Sequence, residues 1–369
     1  MPPANDQDLE LDSIEQSAEV ALTAADKALL DAPDGVWKDV TFDNTQCRDG
    51  SPVKVRIHRN KKSDKVVLFM EGGGICFDAA TCAISDPNVD YQLNEQWQTL
   101  DGLLDLDNPR NPVRSWNVVY VPYCTSDLNA GTRKDVTIPG VPGKQQFVGR
   151  NNLLRMLRPI TKLSKAPSEV MLVGVSAGGF GATLSLPPVQ KAFDDAFGKS
   201  KAPKVRLVND SGAFLDKGVL PVCLQQIWRN TFGWDGSFLA DWPDAKKYRT
   251  GDFMTQYAQY IARTYSAGRQ NGFLSTVEDG VIRGFFGIGQ NNCTGVLFET
   301  PVDGAAYTNS LLKFRTALKG TSTSTFYAQG GEHVYLEWPG FYTVTAGGTS
   351  LVDWFTKLVN NKSAGNFGP

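Results

Sequence analysis

Residues 174 to 178 read Gly174-Val175-Ser176-Ala177-Gly178, a Gly-x-Ser-x-Gly that follows the apolar run Val170-Met171-Leu172-Val173 and precedes small residues able to open a helix. A serine on a tight strand-to-helix turn holds its hydroxyl clear of the backbone, where a substrate can reach it, and the flanking glycines let the turn close. Ser176 is therefore the candidate nucleophile. A serine hydroxyl is weak at its own pKa and needs a base within hydrogen-bond reach, most often histidine. The chain has two histidines, His58 and His333. His58 lies inside a strand-like segment near the beginning, which suits a packed or surface histidine. His333 follows a late strand in a glycine-containing loop, so it is the candidate base.

A third group must orient the imidazole. If the chain order is serine, acid, histidine, the acid lies among Asp210, Asp216, Asp279 and Asp303, with Glu278 and Glu299 behind them. Asp210 falls at the end of the strand next after the serine turn, one position too early in the sheet. Residue order alone separates Asp279 from Asp303 only slightly. Upstream, Glu71-Gly72-Gly73-Gly74 follows a buried strand. Glycines there let backbone N–H groups turn toward a developing oxyanion. In a serine hydrolase this loop is the natural place for one half of an oxyanion hole, whereas an isolated triple glycine is more often a plain Gly-rich turn.

These groups need an α/β framework. Residues 40–42, 53–57 and 65–70 read as strands with antiparallel entry to a sheet, and the last of them is too continuously apolar for a half-exposed strand. Residues 117–122 form another buried strand, and 147–163 have the helical spacing of a crossover helix leading to the strand before Ser176. A helix over 178–197, broken or kinked by Pro187-Pro188, precedes a strand at 205–209. Residues 217–272 lack strand signals and carry many aromatics, including Trp228, Trp234, Trp242 and Tyr257. Such rings are more often core than substrate platform, although an insertion at this point is also how a lid is built. A short apolar segment at 281–286, a helix at 306–318, a strand at 325–328 and a helix at 351–359 complete the chain. The reading is an α/β-hydrolase-like fold with a mostly parallel central sheet. Residues 1–35 form an N-terminal helical leader, and 36–369 form one domain with a lid insertion at about 217–272.

Composition narrows the function classes. A net charge of -2 gives no basic field, so nucleic acid is not an expected partner. No run of about 18 apolar residues is present, so no membrane span is expected. Of the six cysteines, Cys76 and Cys82 lie close together without a histidine at zinc spacing, which favours a short disulfide loop over a metal site. The expected address is secreted or periplasmic. The opening Met1-Pro2-Pro3-Ala4-Asn5-Asp6 shows no signal peptide, so either a leader has been removed or the protein is cytoplasmic with free thiols.

From Cys47 to His333 the chain resembles the pectin acetylesterase family of serine carboxylesterases, to which the animal carboxylesterase Notum also belongs. The blocks that carry the resemblance are Cys47-Arg48-Asp49-Gly50-Ser51-Pro52, the segment Leu68 to Phe77 with Cys82 downstream, Trp116 to Asp127, Gly174 to Gly179, and Asp210 to Asp216. The resemblance implies a secreted Ser-His-Asp esterase on the α/β-hydrolase fold that needs no metal and no organic cofactor. It implies Ser176 as nucleophile, His333 as base and Asp279 as acid, and backbone donors at Gly73, Gly74 and Ala177. It also implies disulfides Cys47 to Cys124 and Cys76 to Cys82, leaving Cys223 with Cys293. Ile75, where the family commonly has Trp or Tyr, and the divergent stretch 217–272 leave substrate choice to parts that differ. The expected activity is O-deacetylation of pectin or another polysaccharide. The alternatives are an esterase for longer acyl chains or polyesters, and a secreted binding protein that has lost activity.

Overall fold

The computed structural model describes residues 21–94, 100–248, 251–294 and 300–369. Among the described residues the framework is a central eight-stranded sheet with helices between its strands, beside small two-stranded pairs. The strands are β1 (Trp37–Phe42), β2 (Val53–His58), β3 (Lys65–Met70), β4 (Asn117–Val121), β5 (Arg133–Val136), β6 (Gln145–Phe147), β7 (Glu169–Val175), β8 (Arg206–Asp210), β9 (Asn271–Thr276) and β10 (Thr323–Ala328). The helices are α1 (Ala24–Leu30), α2 (Ala79–Ala83), α3 (Asp90–Asn94), α4 (Gly149–Ile160), α5 (Ala177–Phe197), α6 (Val222–Phe232), α7 (Phe253–Thr264), α8 (Gly280–Gly287), α9 (Gly304–Ala317) and α10 (Leu351–Val359).

Eight strands form the sheet in the order β1-β2-β4-β3-β7-β8-β9-β10. Alternating burial along β2 marks a strand with one face on the core, whereas β3, β4, β7 and β8 are buried on both faces. That difference follows the pairing. β1, β2 and β4 are antiparallel neighbours, while every pair from β4 to β10 is parallel and covered by crossover helices. Parallel strands bring their carboxyl ends to a single edge, and β3, β7, β8, β9 and β10 deliver the candidate residues there.

The structure departs from the sequence reading or adds to it at three places. β9 lies where strand signals were weak: Asn271-Gly272-Phe273-Leu274-Ser275-Thr276 mixes polar and small residues, yet all six are buried. Its polar side chains are satisfied internally, with Asn271 accepting from Leu207 N–H at 3.0 Å and donating to Tyr265 C=O at 2.9 Å. β5 and β6, a small antiparallel pair, carried no readable alternation. Pro187 and Pro188 do not break α5, which runs unbroken from Ala177 to Phe197. The Leu184 carbonyl, which Pro188 cannot reach with an N–H, instead accepts from the buried Tyr257 hydroxyl at 3.2 Å.

Gly102–Leu104 is a 3-10 turn. Of the N-terminal segment, Ala24–Leu30 is helical, and residues 1–20 lie outside the described residues. Aromatic rings of the stretch after β8 pack on one another. Trp234 meets Phe238 at 5.3 Å between ring centroids, Phe238 meets Tyr257 at 4.7 Å, and Trp242 stacks on Tyr248 at 5.2 Å. Trp228, Trp234, Phe238 and Trp242 are all buried.

Disulfides join Cys47 to Cys124, Cys76 to Cys82 and Cys223 to Cys293. Buried Arg48 knits the first two together, donating to Gln145 Oε1 at 2.9 Å and to the Cys82 carbonyl at 3.2 Å. No helix among the described residues is long and apolar enough to cross a membrane.

Candidate active site

Ser176 joins β7 to α5 with φ 53° and ψ -124°, a conformation that costs a non-glycine residue about 1–3 kcal/mol and persists only where its surroundings enforce it. Its N–H donates to the Asp210 carbonyl at 2.8 Å, which ties the turn to the end of β8. The two motif glycines are required by close approach. A Cβ on Gly174 would lie 2.0 Å from the Gly178 carbonyl oxygen, and one on Gly178 would lie 2.1 Å from that of Met70. The Ser176 hydroxyl donates to His333 Nε2 at 2.8 Å, and His333 Nδ1–H donates to Asp279 Oδ2 at 2.8 Å, with Oδ1 at 3.0 Å. The imidazole tautomer follows: Nδ1 keeps its proton and donates it as a hydrogen bond to the carboxylate, leaving the Nε2 lone pair facing the serine.

Asp279 is fully buried and caps α8, where its Oδ1 accepts from Val281 N–H at 3.1 Å and Ile282 N–H at 2.9 Å. The helix N-terminus and the imidazole therefore share one carboxylate. Asp279 and His333 are brought together by a zipper between the loops leaving β9 and β10. Val277 N–H donates to Ala328 C=O at 2.9 Å, Glu278 to Gly330 at 3.1 Å and Gly280 to Gly331 at 3.0 Å. Thr276 Oγ1 adds a bond to the Glu332 carbonyl at 2.7 Å.

Of the other acids weighed from the sequence, Asp303 is an exposed N-cap of α9 that accepts from Ala306 N–H at 2.9 Å. Asp216 pairs with Lys313 at 3.0 Å. Glu278 spans the same zipper through its backbone, and Glu299 lies outside the described residues. His58 sits on β2 against Trp37, with ring centroids 5.4 Å apart.

Asp210 does something the residue order did not disclose. Its fully buried Oδ2 accepts from Tyr335 N–H at 2.6 Å and Leu336 N–H at 2.8 Å, while Ser211 Oγ donates to Oδ1 at 3.0 Å. Through its carbonyl on Ser176 and its carboxylate on the segment after His333, one residue holds both sides of the serine–histidine contact. Burial pushes its carboxyl up to about 6, against the pull of these three donors. Its place immediately after a buried strand run was the available signal.

Gly72, Gly73 and Gly74 leave the end of β3 directly beside the serine. A Cβ on Gly72 would lie 2.7 Å from Ser176 Cβ and 2.9 Å from the Val175 carbonyl oxygen. The N–H groups of Gly73 and Gly74 have no acceptor among the described residues, and Ala177 N–H opens the first turn of α5, where helical N–H groups are free to meet an anion. Phe285 of α8 and the Ile84 carbonyl stand 3.4 and 3.8 Å from where a Gly74 Cβ would be. Ile84 is an exposed apolar residue, 59% accessible.

The sequence model of pectinacetylesterases matches residues 28–267. The chain belongs to the pectinacetylesterase family. The matched span of this pectinacetylesterase-family chain includes the Gly72–Gly74 loop and Ser176, while Asp279 and His333 lie beyond it. The chain is 32% identical over 179 residues to the palmitoleoyl-protein carboxylesterase Notum of Drosophila melanogaster, an alignment covering 46% of this chain and 26% of that protein. With the human protein of the same description it shares 29% over 178 residues, 46% of this chain and 34% of the relative. The aligned part is thus about a quarter to a third of the length of these curated relatives. The solved structure of the Wnt deacylase Notum from Drosophila superposes with a TM-score of 0.64 at 22% identity, covering 89% of this chain and 94% of that one. That likeness shows the fold.

Proposed function

We propose that this chain is a serine carboxylic ester hydrolase, and the observation that carries the reading is the continuous relay from Ser176 through His333 to Asp279. Ser176 Oγ attacks the ester carbonyl while His333 Nε2 takes its proton. Asp279 keeps the imidazole in the useful tautomer and stabilises the imidazolium. The N–H groups of Gly73, Gly74 and Ala177 receive the developing oxyanion, each contributing about 3 kcal/mol to lowering the barrier. Collapse expels the alcohol, which accepts the proton from His333, and water activated by the same histidine clears the acyl-enzyme. Membership of the pectinacetylesterase family supports an O-acetylated polysaccharide as substrate and, with three disulfides, a secreted or periplasmic address.

A second reading, a longer acyl chain, is favoured by Phe285 and the exposed Ile84 beside Gly74 and by the relatives described as palmitoleoyl-protein carboxylesterases. Hydrolysis of p-nitrophenyl esters from acetyl to palmitoyl, together with acetate release from acetylated pectin, distinguishes the two. Peak activity at acetyl with acetate release supports the deacetylase, whereas kcat/KM rising with chain length supports the second. Ser176→Ala is expected to abolish turnover of every ester without unfolding the protein. Turnover at the wild-type rate in that variant would refute the esterase assignment.

A further inference from the structure

We infer that Gln92 is a positioning residue for the oxyanion hole, holding the Gly72–Gly73 peptide so that the Gly73 N–H faces the reacting carbonyl. The inference rests on the serine-esterase reading above. Gln92 comes from α3, outside the loop it acts on, and its side chain is buried, with 2% of the residue accessible. Its Oε1 accepts from the Tyr123 N–H at 2.7 Å. That contact fixes which end of the amide faces which way, because a backbone N–H accepts nothing. The NH2 end is then committed to the Gly72 carbonyl, to which Nε2 donates at 3.0 Å.

A trans peptide carries its C=O and the next N–H on opposite edges of one plane, so fixing the Gly72 C=O also fixes the direction of the Gly73 N–H. The other polar group of Gly72 is committed as well, since its N–H donates to Glu71 Oε1 at 2.8 Å. Glu71 is itself anchored by its N–H on the Val121 carbonyl at 3.0 Å. The first N–H of the loop left without an acceptor among the described residues is that of Gly73.

A triple glycine has few steric restraints of its own, and fixing its backbone opposes roughly 1–2 kcal/mol of conformational entropy per residue. Gly73 sits at φ +147°, and a Cβ there would lie 3.2 Å from Gln92 Nε2 and 3.0 Å from Tyr123 Cδ1. Gln92 and Tyr123 therefore wall one side of Gly73, while the preceding Gly72 packs against Ser176. An oxyanion donor works when it is already aimed at the position the charge will occupy, and Gln92 supplies that aim.

The test uses Gln92→Glu and Gln92→Leu in the full chain, with p-nitrophenyl acetate as substrate and a phenylboronic acid as a tetrahedral adduct of Ser176. Rates are corrected for the folded fraction measured by near-ultraviolet circular dichroism. Gln92→Glu preserves size and the acceptor for Tyr123 but loses the donor to Gly72, so it stays informative where the leucine variant folds poorly. The expected result is a kcat lower by about 10- to 100-fold with KM within about threefold of wild type, and boronic acid binding weakened in parallel with kcat. A purely structural glutamine would lower the melting temperature while leaving kcat per folded molecule and boronic acid affinity unchanged; that result overturns the inference. A rise in KM alone overturns it too. If wild type cleaves no ester, the underlying reading fails and this one with it, whereas active wild type beside unimpaired Gln92 variants removes only the role of Gln92.

Discussion

Asp279 and Asp303 show how little a residue's type says about its task. Both are aspartates at the N-cap of a helix, and both accept backbone N–H bonds there. One is fully buried with its second oxygen 2.8 Å from His333 Nδ1, and the other is exposed. Asparagine is a good N-cap, so Asp303→Asn is expected to leave both stability and rate close to wild type. Asp279→Asn removes the charge that selects the tautomer and should lower kcat by about 10⁴-fold. Steady-state kinetics of the two variants on one ester decides the matter, and equal rates would take the acid role away from Asp279.

At the scale of elements, α5 has the proposed nucleophile Ser176 at its N-cap and carries two prolines in its middle without a break, because α7 supplies a substitute donor in Tyr257. Tyr257→Phe leaves the Leu184 carbonyl buried and unpaired, a loss of about 1–3 kcal/mol that should appear as a lower melting temperature. An unchanged melting temperature would mean that the carbonyl finds another partner.

The carboxyls that pin the strand ends have a second consequence. Burial pushes Asp127 up to about 6, although Thr125 Oγ1 at 2.6 Å and Gly149 N–H at 2.8 Å donate to it, and Asp210 is pushed to the same level. An aspartate titrating near 3.9 in the unfolded chain binds its proton more tightly in the folded one. The associated stability is fully present below about pH 4 and is lost as pH rises through about 6, on the order of 3 kcal/mol per group. Thermal unfolding between pH 4 and 7 should therefore show a smaller decline in Asp127→Asn than in wild type. Parallel curves for the two proteins would contradict the assignment.

For the molecule as a whole, the disulfides differ in what they constrain. The Cys47–Cys124 bond spans 77 residues of sequence and the Cys76–Cys82 bond only 6. Loop-closure entropy assigns about 4.5 kcal/mol to the first and about 2 kcal/mol to the second. Replacing Cys47 and Cys124 by serine should thus destabilise the protein by about twice as much as replacing Cys76 and Cys82, measured by denaturant unfolding. The shorter loop has a local task instead, since Cys76 follows the glycines by two residues and its N–H is held by the Ser126 carbonyl at 3.0 Å. Losing it should affect rate more than stability.

Much of this was written in the chain. The apolar runs of β3, β4, β7 and β8 announce strands buried on both faces, because only a covered parallel sheet tolerates them. Gly-x-Ser-x-Gly announces its turn, because residues with a Cβ would collide at both glycines. Other features came only with the tertiary structure. β9 is a strand because its neighbours satisfy Asn271, not because its own residues favour one. Residue order left Asp279 scarcely ahead of Asp303, and it is the pairing of the β9 and β10 loops that brings one of them to the imidazole. Gln92 had no motif to declare it, and the block that opens with Asp210 did not disclose that residue's task, since each acts by holding backbone groups of distant segments. Hydrogen bonds of that kind depend on where the chain returns to itself, which local sequence does not encode.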